Sequence, residues 1–182
     1  MIFEIENFLS ADICSSVINY FDNTTDRNTH ITGYFSDKSL SPYNIKDRNI
    51  LKELIIFQTK SLQIISRLYH PNELNINLFL EYWDIVRWDV GKDMEVHQDG
   101  MNYEYSRDYS SVCYLNDTYI GGETFFPERK YVCKPKQGKI VFFPSTLYHG
   151  VKVIKQGIRY TLPCWYSKNA NDILLPQISQ FL

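Results

Sequence analysis

The sequence predicts a single α+β domain, mainly β, in which two facing sheets form a cupin-like jelly roll braced by N-terminal helices. Apolar residues recur at helical spacing in the first part of the chain, and short segments rich in Ile, Val, Phe, Tyr and Trp follow, separated by Gly, Pro and Asp. A length of 182 residues and a hydrophobic content of 44% are sufficient for one sizeable core. We divide the predicted domain, 1–182, into a helical part (1–72), a jelly-roll core (73–167) and a C-terminal tail (168–182).

The first predicted helix follows Ser10, whose hydroxyl is suited to cap a helix N-terminus. Apolar residues then recur with a helical period, and the polar run 22–26 ends the pattern. We expect one face of this helix to pack into the core through Ile13, Val17, Ile18 and Phe21.

The second helix is predicted from Asp47 to about Tyr69, with Pro71 just beyond its end. Its apolar stripe is interpreted as core and consists of Leu51, Leu54, Ile55, Leu62 and Ile65. The polar residues 24–46 between the helices are predicted to form a long loop. Long irregular segments are either functional lids or solvated connections, and the sequence leaves both interpretations open.

The jelly-roll region contains no internal repeat, low-complexity tract or linker. The tail after it ends in apolar residues, which either fold back on the domain or pair with another copy: Ile173, Leu174, Leu175, Ile178, Phe181 and Leu182. The sequence decides neither between these two arrangements nor the oligomeric state.

Charge and cysteine content point to a cytoplasmic protein. The formal net charge is −2 and no basic block is present, so nucleic acid is not an expected partner. We find no basic leader followed by an apolar stretch and no run long enough to span a bilayer, so we expect no membrane association. The spacing of the cysteines fits neither a C-x-x-C motif nor a zinc ribbon, which favours reduced thiols at Cys14, Cys113, Cys133 and Cys164.

Two histidines and one aspartate are the candidate metal ligands. Alternate residues of extended backbone point to the same side, so His97 and Asp99 are expected to bind one metal ion. His149, from a distant strand, is expected to be the third ligand. Two neutral imidazoles and one carboxylate can hold one face of Fe(II) and leave the other face open to substrate and oxygen. The pattern therefore indicates oxygenase chemistry.

Arg159 follows His149 by ten positions. Its guanidinium can form a two-pronged, charge-assisted pair with the far carboxylate of a dicarboxylic acid whose near end chelates the metal. Thr161, two residues further along the same predicted strand, lies on the same face and can add a hydrogen bond.

Several segments, taken in order, resemble the prolyl hydroxylase branch of the Fe(II)/2-oxoglutarate-dependent oxygenases. The run 88–99 is similar to the family pattern Tyr-x-x-Gly-x-x-Tyr-x-x-His-x-Asp, with Trp88 and Met94 in place of the two tyrosines. The run 107–116 resembles the family strand Arg-x-x-Thr-x-x-x-Tyr-Leu-Asn, with Ser110 in place of Thr. Similar runs follow at 121–127 and at 138–144 before His149, and the run 3–10 resembles the opening strand of the family.

This resemblance implies a double-stranded β-helix and a role for several residues. His97, Asp99 and His149 match the iron ligands, and Arg159 and Tyr114 match the residues that bind the far carboxylate of 2-oxoglutarate. Fe(II), the cosubstrate 2-oxoglutarate and O2 are the implied cofactors, with ascorbate as a further candidate. The same resemblance places two further residues near the substrate, with Trp165 beside the metal and Arg107 at the entrance.

The resemblance points to a peptide or protein substrate, with a prolyl residue as the leading target of hydroxylation. Trp88, Tyr103 and Tyr105 are expected to flank the mouth of the site as an aromatic platform. On that hypothesis, replacing Trp88 lowers activity while the binding of iron and 2-oxoglutarate survives.

Other functions are compatible with parts of this pattern. The same chemistry on another amino acid or a small molecule is one alternative, and a non-catalytic, metal-binding, cupin-like interaction domain is another. Zn2+ also accepts two His and a carboxylate, although a site that binds only metal has no need of Arg159. A nucleic-acid demethylase of the AlkB type is disfavoured, because Trp165 stands where that family carries a second Arg.

Overall fold

The computed structural model describes residues 1–27, 38–72, 77–101 and 106–169. Its first elements are strand β1 (Phe3–Ile5), helix α1 (Ala11–Asn23), strand β2 (Ser39–Leu40) and helix α2 (Arg48–Tyr69). Eleven further strands follow within the described residues: β3 (Phe79–Trp83), β4 (Ile85–Trp88), β5 (Met94–His97), β6 (Tyr109–Tyr114), β7 (Ile120–Gly121), β8 (Thr124–Phe126), β9 (Tyr131–Cys133), β10 (Ile140–Pro144), β11 (His149–Val151), β12 (Ile154–Gln156) and β13 (Arg159–Ser167).

Within the described ranges, these strands form two larger antiparallel sheets and one pair. The large sheet has the order β1-β10-β6-β13-β4-β2, and β3 also pairs with β13. The small sheet has the order β5-β11-β8-β9, and β12 pairs with β7. A cavity lies between the two larger sheets and is lined by residues of both. The arrangement confirms the predicted jelly roll with helical support.

Both helices begin at the predicted caps. The Ser10 hydroxyl accepts a hydrogen bond from the Ile13 amide at 3.3 Å, and the Asp47 carboxylate accepts from the amides of Asn49 and Ile50. The buried faces of both helices pack into the core of the large sheet through Cys14, Val17, Phe21, Ile50, Leu54, Phe57 and Ile65. The helices therefore cover one face of the large sheet and leave its other face to the cavity.

The predicted core stripe of α2 is confirmed for four of its five members. Leu54 and Ile65 are buried, and Leu51 and Leu62 are partly buried and pack against the same core. Ile55, the fifth member, is partly buried. The buried face also includes Ile50, Phe57 and Ser61, and the Phe57 ring packs against Phe8.

The predicted loop 24–46 contains a strand. Ser39 and Leu40 form β2 and pair with Val86 and Ile85 of β4, and both are buried. A two-residue strand is too short to produce a detectable alternation of polar and apolar residues. Together with β1, which pairs with β10, it provides the two outer strands of the large sheet, so the N-terminal part is continuous with the jelly roll.

All four cysteines are buried free thiols, as the spacing predicted. In the described part of the chain, no helix is both long enough and apolar enough to cross a membrane. The tail residues from 170 onward lie outside the described residues, so the two predicted arrangements of the tail both stay open.

Candidate metal and cosubstrate site

The structure brings the three predicted metal ligands together. His97 is the last residue of β5 and pairs directly with His149, the first residue of β11. Asp99 begins a one-turn 3-10 helix, Asp99–Met101, so it does not continue the strand as expected. This turn still directs its carboxylate to the histidines, and one ligand atom from each of the three residues lies within 4.8 Å of the others.

Each histidine presents the same nitrogen to the site. His97 Nε2 lies 3.5 Å from Asp99 Oδ1, and His149 Nε2 lies 3.5 Å from Asp99 Oδ2. The opposite ring nitrogens, Nδ1, contact backbone oxygens, that of Glu95 at 2.8 Å and that of Leu147 at 3.0 Å. In a neutral imidazole, an Nδ1 proton donated to such a carbonyl leaves the Nε2 lone pair free to bind a metal.

The titration of the three groups follows from their surroundings. The hydrogen bond with Asp99 raises the pKa of His97, whereas burial lowers the pKa of His149. Burial also raises the pKa of Asp99, but the hydrogen bond from His97 and the nearby His149 outweigh this and lower that pKa to about 2. The site therefore carries an anionic oxygen beside two imidazole nitrogens.

This donor set fits Fe(II). Two imidazole nitrogens and one carboxylate oxygen on one side of a cavity form the facial arrangement typical of non-haem Fe(II) oxygenases. His97, Asp99 and His149 would hold the ion, and the carbonyl contacts of the two histidines would fix their rings.

Arg159 lines the same cavity and has no anionic partner among the described residues. Its side chain is 1% exposed, it donates long hydrogen bonds to Thr161 Oγ1 and Thr124 Oγ1, both at 3.4 Å, and it interacts with the side chain of Tyr119. Its Nε has no hydrogen-bond partner in the described part of the chain. A buried, fixed cation requires an anion or a dense set of acceptors, so the arrangement fits the far carboxylate of 2-oxoglutarate.

Two aromatic rings, Trp88 and Tyr114, and two threonines lie near the Arg159 guanidinium. Its guanidinium carbon lies 5.1 Å from the ring centre of Trp88 and 5.5 Å from that of Tyr114. The Tyr114 hydroxyl donates to Thr124 Oγ1 at 2.8 Å, so Thr124 accepts hydrogen bonds from both predicted cosubstrate residues. Thr161 lies in the position expected from its spacing.

Trp88 is not at the mouth of the site. It is buried, with 5% of its surface exposed, and it is the direct partner of Arg159 across β4 and β13. The expected aromatic platform is wrong for this residue, because the strand register places its ring against the guanidinium. Tyr103 and Tyr105, the other predicted members, lie outside the described residues.

The cavity has a volume of about 190 Å3. One face of β13 lines it along its length, with Arg159 and Thr161 at one end and Pro163 and Trp165 beyond them. Apolar side chains supply most of the remaining wall: Trp88, Met94, Val112, Phe143 and Val151. These walls bury the side chains of His149 and Asp99, which are 7% and 9% exposed, and leave the His97 side chain 34% exposed.

Arg107 and Trp165 are in contact with one another. The Arg107 guanidinium lies 4.6 Å from the Trp165 ring centre and pairs with Glu81 through Nε and Nη2, at 2.9 and 2.8 Å. The Glu81 carboxylate is fully buried, and Tyr82 stacks on Trp165. The position of Arg107 is therefore set by a buried ion pair and an aromatic ring.

Sequence reasoning missed four residues of the site: Thr124, Ser110, Ser145 and Glu81. Thr124 falls within the quoted run 121–127 and Ser110 within 107–116, but neither was assigned a role. Ser110 donates to Asp99 Oδ2 at 2.6 Å and contacts Ser145 Oγ at 2.7 Å. Glu81 meets Arg107 across 26 positions of sequence, and no local pattern could have indicated that pair.

A sequence profile of the 2OG-Fe(II) oxygenase superfamily matches residues 83–167. Among curated proteins, human prolyl 3-hydroxylase 3 is 38% identical over 72 residues, which is 36% of this chain. Rat prolyl 3-hydroxylase 2 is 40% identical over 68 residues, or 34% of this chain. The match spans only 10% of the length of each of these two relatives.

Solved structures with the same fold include three prolyl hydroxylases. A viral collagen prolyl hydroxylase from Paramecium Bursaria Chlorella virus-1, in complex with 2OG, has a TM-score of 0.68 at 20% identity, covering 91% of this chain and 94% of that chain. A prolyl-4-hydroxylase from Pseudomonas putida has a TM-score of 0.67 at 17% identity, with 93% of both chains covered.

A prolyl hydroxylase from Trichoplax adhaerens, in complex with a hypoxia inducible factor oxygen degradation domain peptide fragment, has a TM-score of 0.68 at 19% identity, covering 97% of this chain and 87% of that chain. At these identities the similarity shows the fold. The profile match covers the three candidate iron ligands and Arg159. Residues 83–167 of this chain are therefore similar in sequence to the 2OG-Fe(II) oxygenase superfamily.

Proposed function

We propose that this protein is an Fe(II)- and 2-oxoglutarate-dependent dioxygenase that hydroxylates an unactivated C–H bond, with a prolyl residue of a peptide or protein as its substrate. The observation that carries the proposal is the buried Arg159, which shares one cavity with His97, Asp99 and His149 and has no carboxylate partner among the described residues. A metal site of purely structural function has no use for a second, unneutralised cation in its cavity.

When bound, Fe(II) and 2-oxoglutarate supply the oxidation, with O2 as the oxidant. The protein supplies orientation. The two histidine rings are fixed through their Nδ1 contacts with backbone oxygens, and Arg159 binds the far end of the cosubstrate with help from the hydroxyls of Thr124 and Thr161. Ionic and hydrogen-bonding groups at both ends leave one orientation for a keto diacid.

The surroundings of Arg159 favour a dicarboxylic cosubstrate over a monocarboxylic acid. The Trp88 ring and the Tyr114 ring stack near the guanidinium, so water has little access to this end of the cavity. A ligand lacking the far carboxylate would leave the buried cation unpaired, which costs several kcal/mol. We therefore expect pyruvate and other short keto acids to be poor replacements.

Two lines of support favour a prolyl target. Relatives in sequence and fold are named prolyl hydroxylases, and one of the solved structures holds a peptide. The cavity wall also includes Pro163 and the Trp165 ring, beside which Arg107 is fixed by Glu81. Aromatic rings are suited to pack against the compact, apolar ring of proline.

The position of hydroxylation is a separate question. The sequence relatives are prolyl 3-hydroxylases, whereas the Pseudomonas putida structure is a prolyl-4-hydroxylase. Product peptides should therefore be hydrolysed and compared with authentic 3-hydroxyproline and 4-hydroxyproline.

The test is the O2-dependent conversion of 2-oxoglutarate to succinate by the Fe(II)-loaded protein, with and without a panel of proline-containing peptides. We expect peptide-stimulated turnover, with a gain of one oxygen atom in the peptide by mass spectrometry; ascorbate is added in a parallel series. Matched peptides with alanine in place of proline are the control. If only free amino acids are hydroxylated and no peptide is, the result would contradict a peptide substrate and favour a small-molecule substrate. Silence under all conditions, despite metal binding, would favour the non-catalytic domain.

A further inference from the structure

We propose that Ser110 and Ser145 are positioning residues that hold Asp99 as a single-oxygen ligand of the metal. The inference rests on the proposed function, because it concerns how the site keeps room for cosubstrate and oxygen. It starts from one contact, the 2.6 Å hydrogen bond from Ser110 Oγ to Asp99 Oδ2.

The direction of the hydrogen bonds follows from the chemistry of the groups. The ionised Asp99 carboxylate can only accept, so the single hydroxyl proton of Ser110 is committed to it. The Ser110 oxygen then accepts from the Ser145 hydroxyl, 2.7 Å away. Both serines are buried, so water does not compete for either hydroxyl.

The backbone fixes the two serines on the side of Asp99. Ser110 lies in β6, opposite Phe143 of β10, and Ser145 directly follows β10. The Ser145 carbonyl accepts a hydrogen bond from the Gly100 amide at 3.1 Å, next to Asp99 in the same helical turn. The backbone carbonyl of Ser145 therefore holds the turn that carries Asp99. The Ser145 hydroxyl acts on the Asp99 carboxylate indirectly, through its hydrogen bond with Ser110.

Gly100 allows this close approach. A Cβ on Gly100 would lie 3.1 Å from the Arg107 carbonyl oxygen and 3.5 Å from the Ser145 carbonyl. The turn that carries Asp99 is thus packed directly against the backbone of the Ser145 segment, which leaves little freedom to the carboxylate.

The consequence concerns the number of open positions on the metal. A carboxylate that bound through both oxygens would occupy a position that the keto acid or O2 requires. Oδ2, which lies 3.5 Å from His149 Nε2, accepts the Ser110 hydrogen bond, and Oδ1, which lies 3.5 Å from His97 Nε2, is left as the oxygen without a serine partner. The two serines would thereby keep the site open as well as orient its ligand.

The neighbouring serine supplies a matched control. Ser111 is buried to the same degree as Ser110 and also lines the cavity, but its hydroxyl contacts Tyr166 at 2.9 Å. Ser110→Ala and Ser111→Ala each remove one buried hydroxyl from adjacent positions of one strand. Only the first removes a contact with a metal ligand.

Co(II) serves as the probe, because its visible absorption responds to the number of bound ligands. In the full-length protein without 2-oxoglutarate, we expect Ser110→Ala to weaken Co(II) binding roughly tenfold and to alter the intensity of its visible bands. Ser111→Ala should change neither. Ser110→Thr, which keeps the hydroxyl, should restore both affinity and spectrum, and Ser145→Ala should give a smaller change in the same direction.

The inference is overturned if Ser110→Ala binds Co(II) with the wild-type affinity and spectrum. If Ser110→Ala does not fold, as judged by circular dichroism, Ser145→Ala decides, and a wild-type spectrum for that variant overturns the inference. Turnover of the wild type is measured separately: a wild type that binds Co(II) without any turnover contradicts the proposed function alone.

Discussion

The guanidinium of Arg159 and the ring of Trp88 face one another across β13 and β4, 5.1 Å apart and in direct register. Trp88 therefore lies at the Arg159 end of the cavity. A buried ring that contacts a cation stabilises the position of that cation and shields its charge from water.

Replacing Trp88 should weaken cosubstrate binding. We expect Trp88→Ala to raise the Kd for 2-oxoglutarate about tenfold, because a desolvated cation–π contact contributes about 1–2 kcal/mol. Trp88→Phe, which keeps an aromatic face, should recover most of the affinity. Isothermal titration of the Mn(II)-loaded protein measures both values. An unchanged Kd in a folded Trp88→Ala protein would return this residue to the role first expected, contact with substrate alone.

Removing the charge of Arg159 should affect cosubstrate binding more strongly. We expect Arg159→Gln to weaken 2-oxoglutarate binding roughly a hundredfold, because a buried carboxylate then lacks its charged partner. Metal affinity should change little. Arg87→Gln is the control, since Arg87 lies on the adjacent strand but already pairs with Asp89 at 2.8 Å. Equal losses in the two variants would remove Arg159 from the cosubstrate site.

The Glu81–Arg107 pair should contribute to stability as well as to the shape of the mouth. Arg107→Ala leaves the buried Glu81 carboxylate without its partner, and we expect the free energy of unfolding to fall by about 3 kcal/mol. Joint replacement, Glu81→Gln with Arg107→Gln, should recover part of this loss because no charge is then left buried alone. Urea unfolding followed by circular dichroism gives the two values. A double variant less stable than Arg107→Ala would contradict the explanation.

Metal binding should weaken in acid in two stages. A proton on His97 competes with the metal, and the pKa of His97 is raised, so affinity should begin to fall as pH drops through the region somewhat above 6.5. The pKa of His149 is lowered by burial, so that ring should stay neutral to a lower pH. Below the pKa of His97 the Kd for Co(II) should rise about tenfold per pH unit.

Circular dichroism at each pH separates this loss of binding from unfolding. Affinity that stayed constant from about pH 8 to about pH 5 would argue against histidine ligation. A single steep transition involving two protons would instead mean that the two histidines titrate together.

Local sequence signals predicted much of this fold. Ser10 and Asp47 are caps whose effect depends on hydrogen bonds to amides two or three residues away, so both helix starts could be predicted. The strands of the jelly roll followed from composition and turn residues. The two-residue strand β2 did not, because its only signal is the pairing with β4.

The residues of the site also fall into two groups, those that the sequence predicted and those that it could not predict. His97 and Asp99 form a local motif, and His149 and Arg159 follow at family spacing, so all four could be proposed from sequence. The depth of Trp88 depends on its register with Arg159, 71 positions away, and the partner of Arg107 lies 26 positions before it. These two contacts, between Trp88 and Arg159 and between Glu81 and Arg107, depend on strand order and burial, which cannot be predicted from a single sequence.

Strand β13 carries both Arg159 and Trp165, six residues apart on one face. At ~3.3 Å per residue, that face measures about 20 Å from the cosubstrate anchor to the aromatic ring. Hydrogen bonding to β6 on one edge and to β3 and β4 on the other prevents this strand from stretching or sliding. In the proposed enzyme, the backbone of this strand would therefore fix the distance between the cosubstrate anchor and the ring that contacts the substrate, and target side chains of unsuitable length would react poorly.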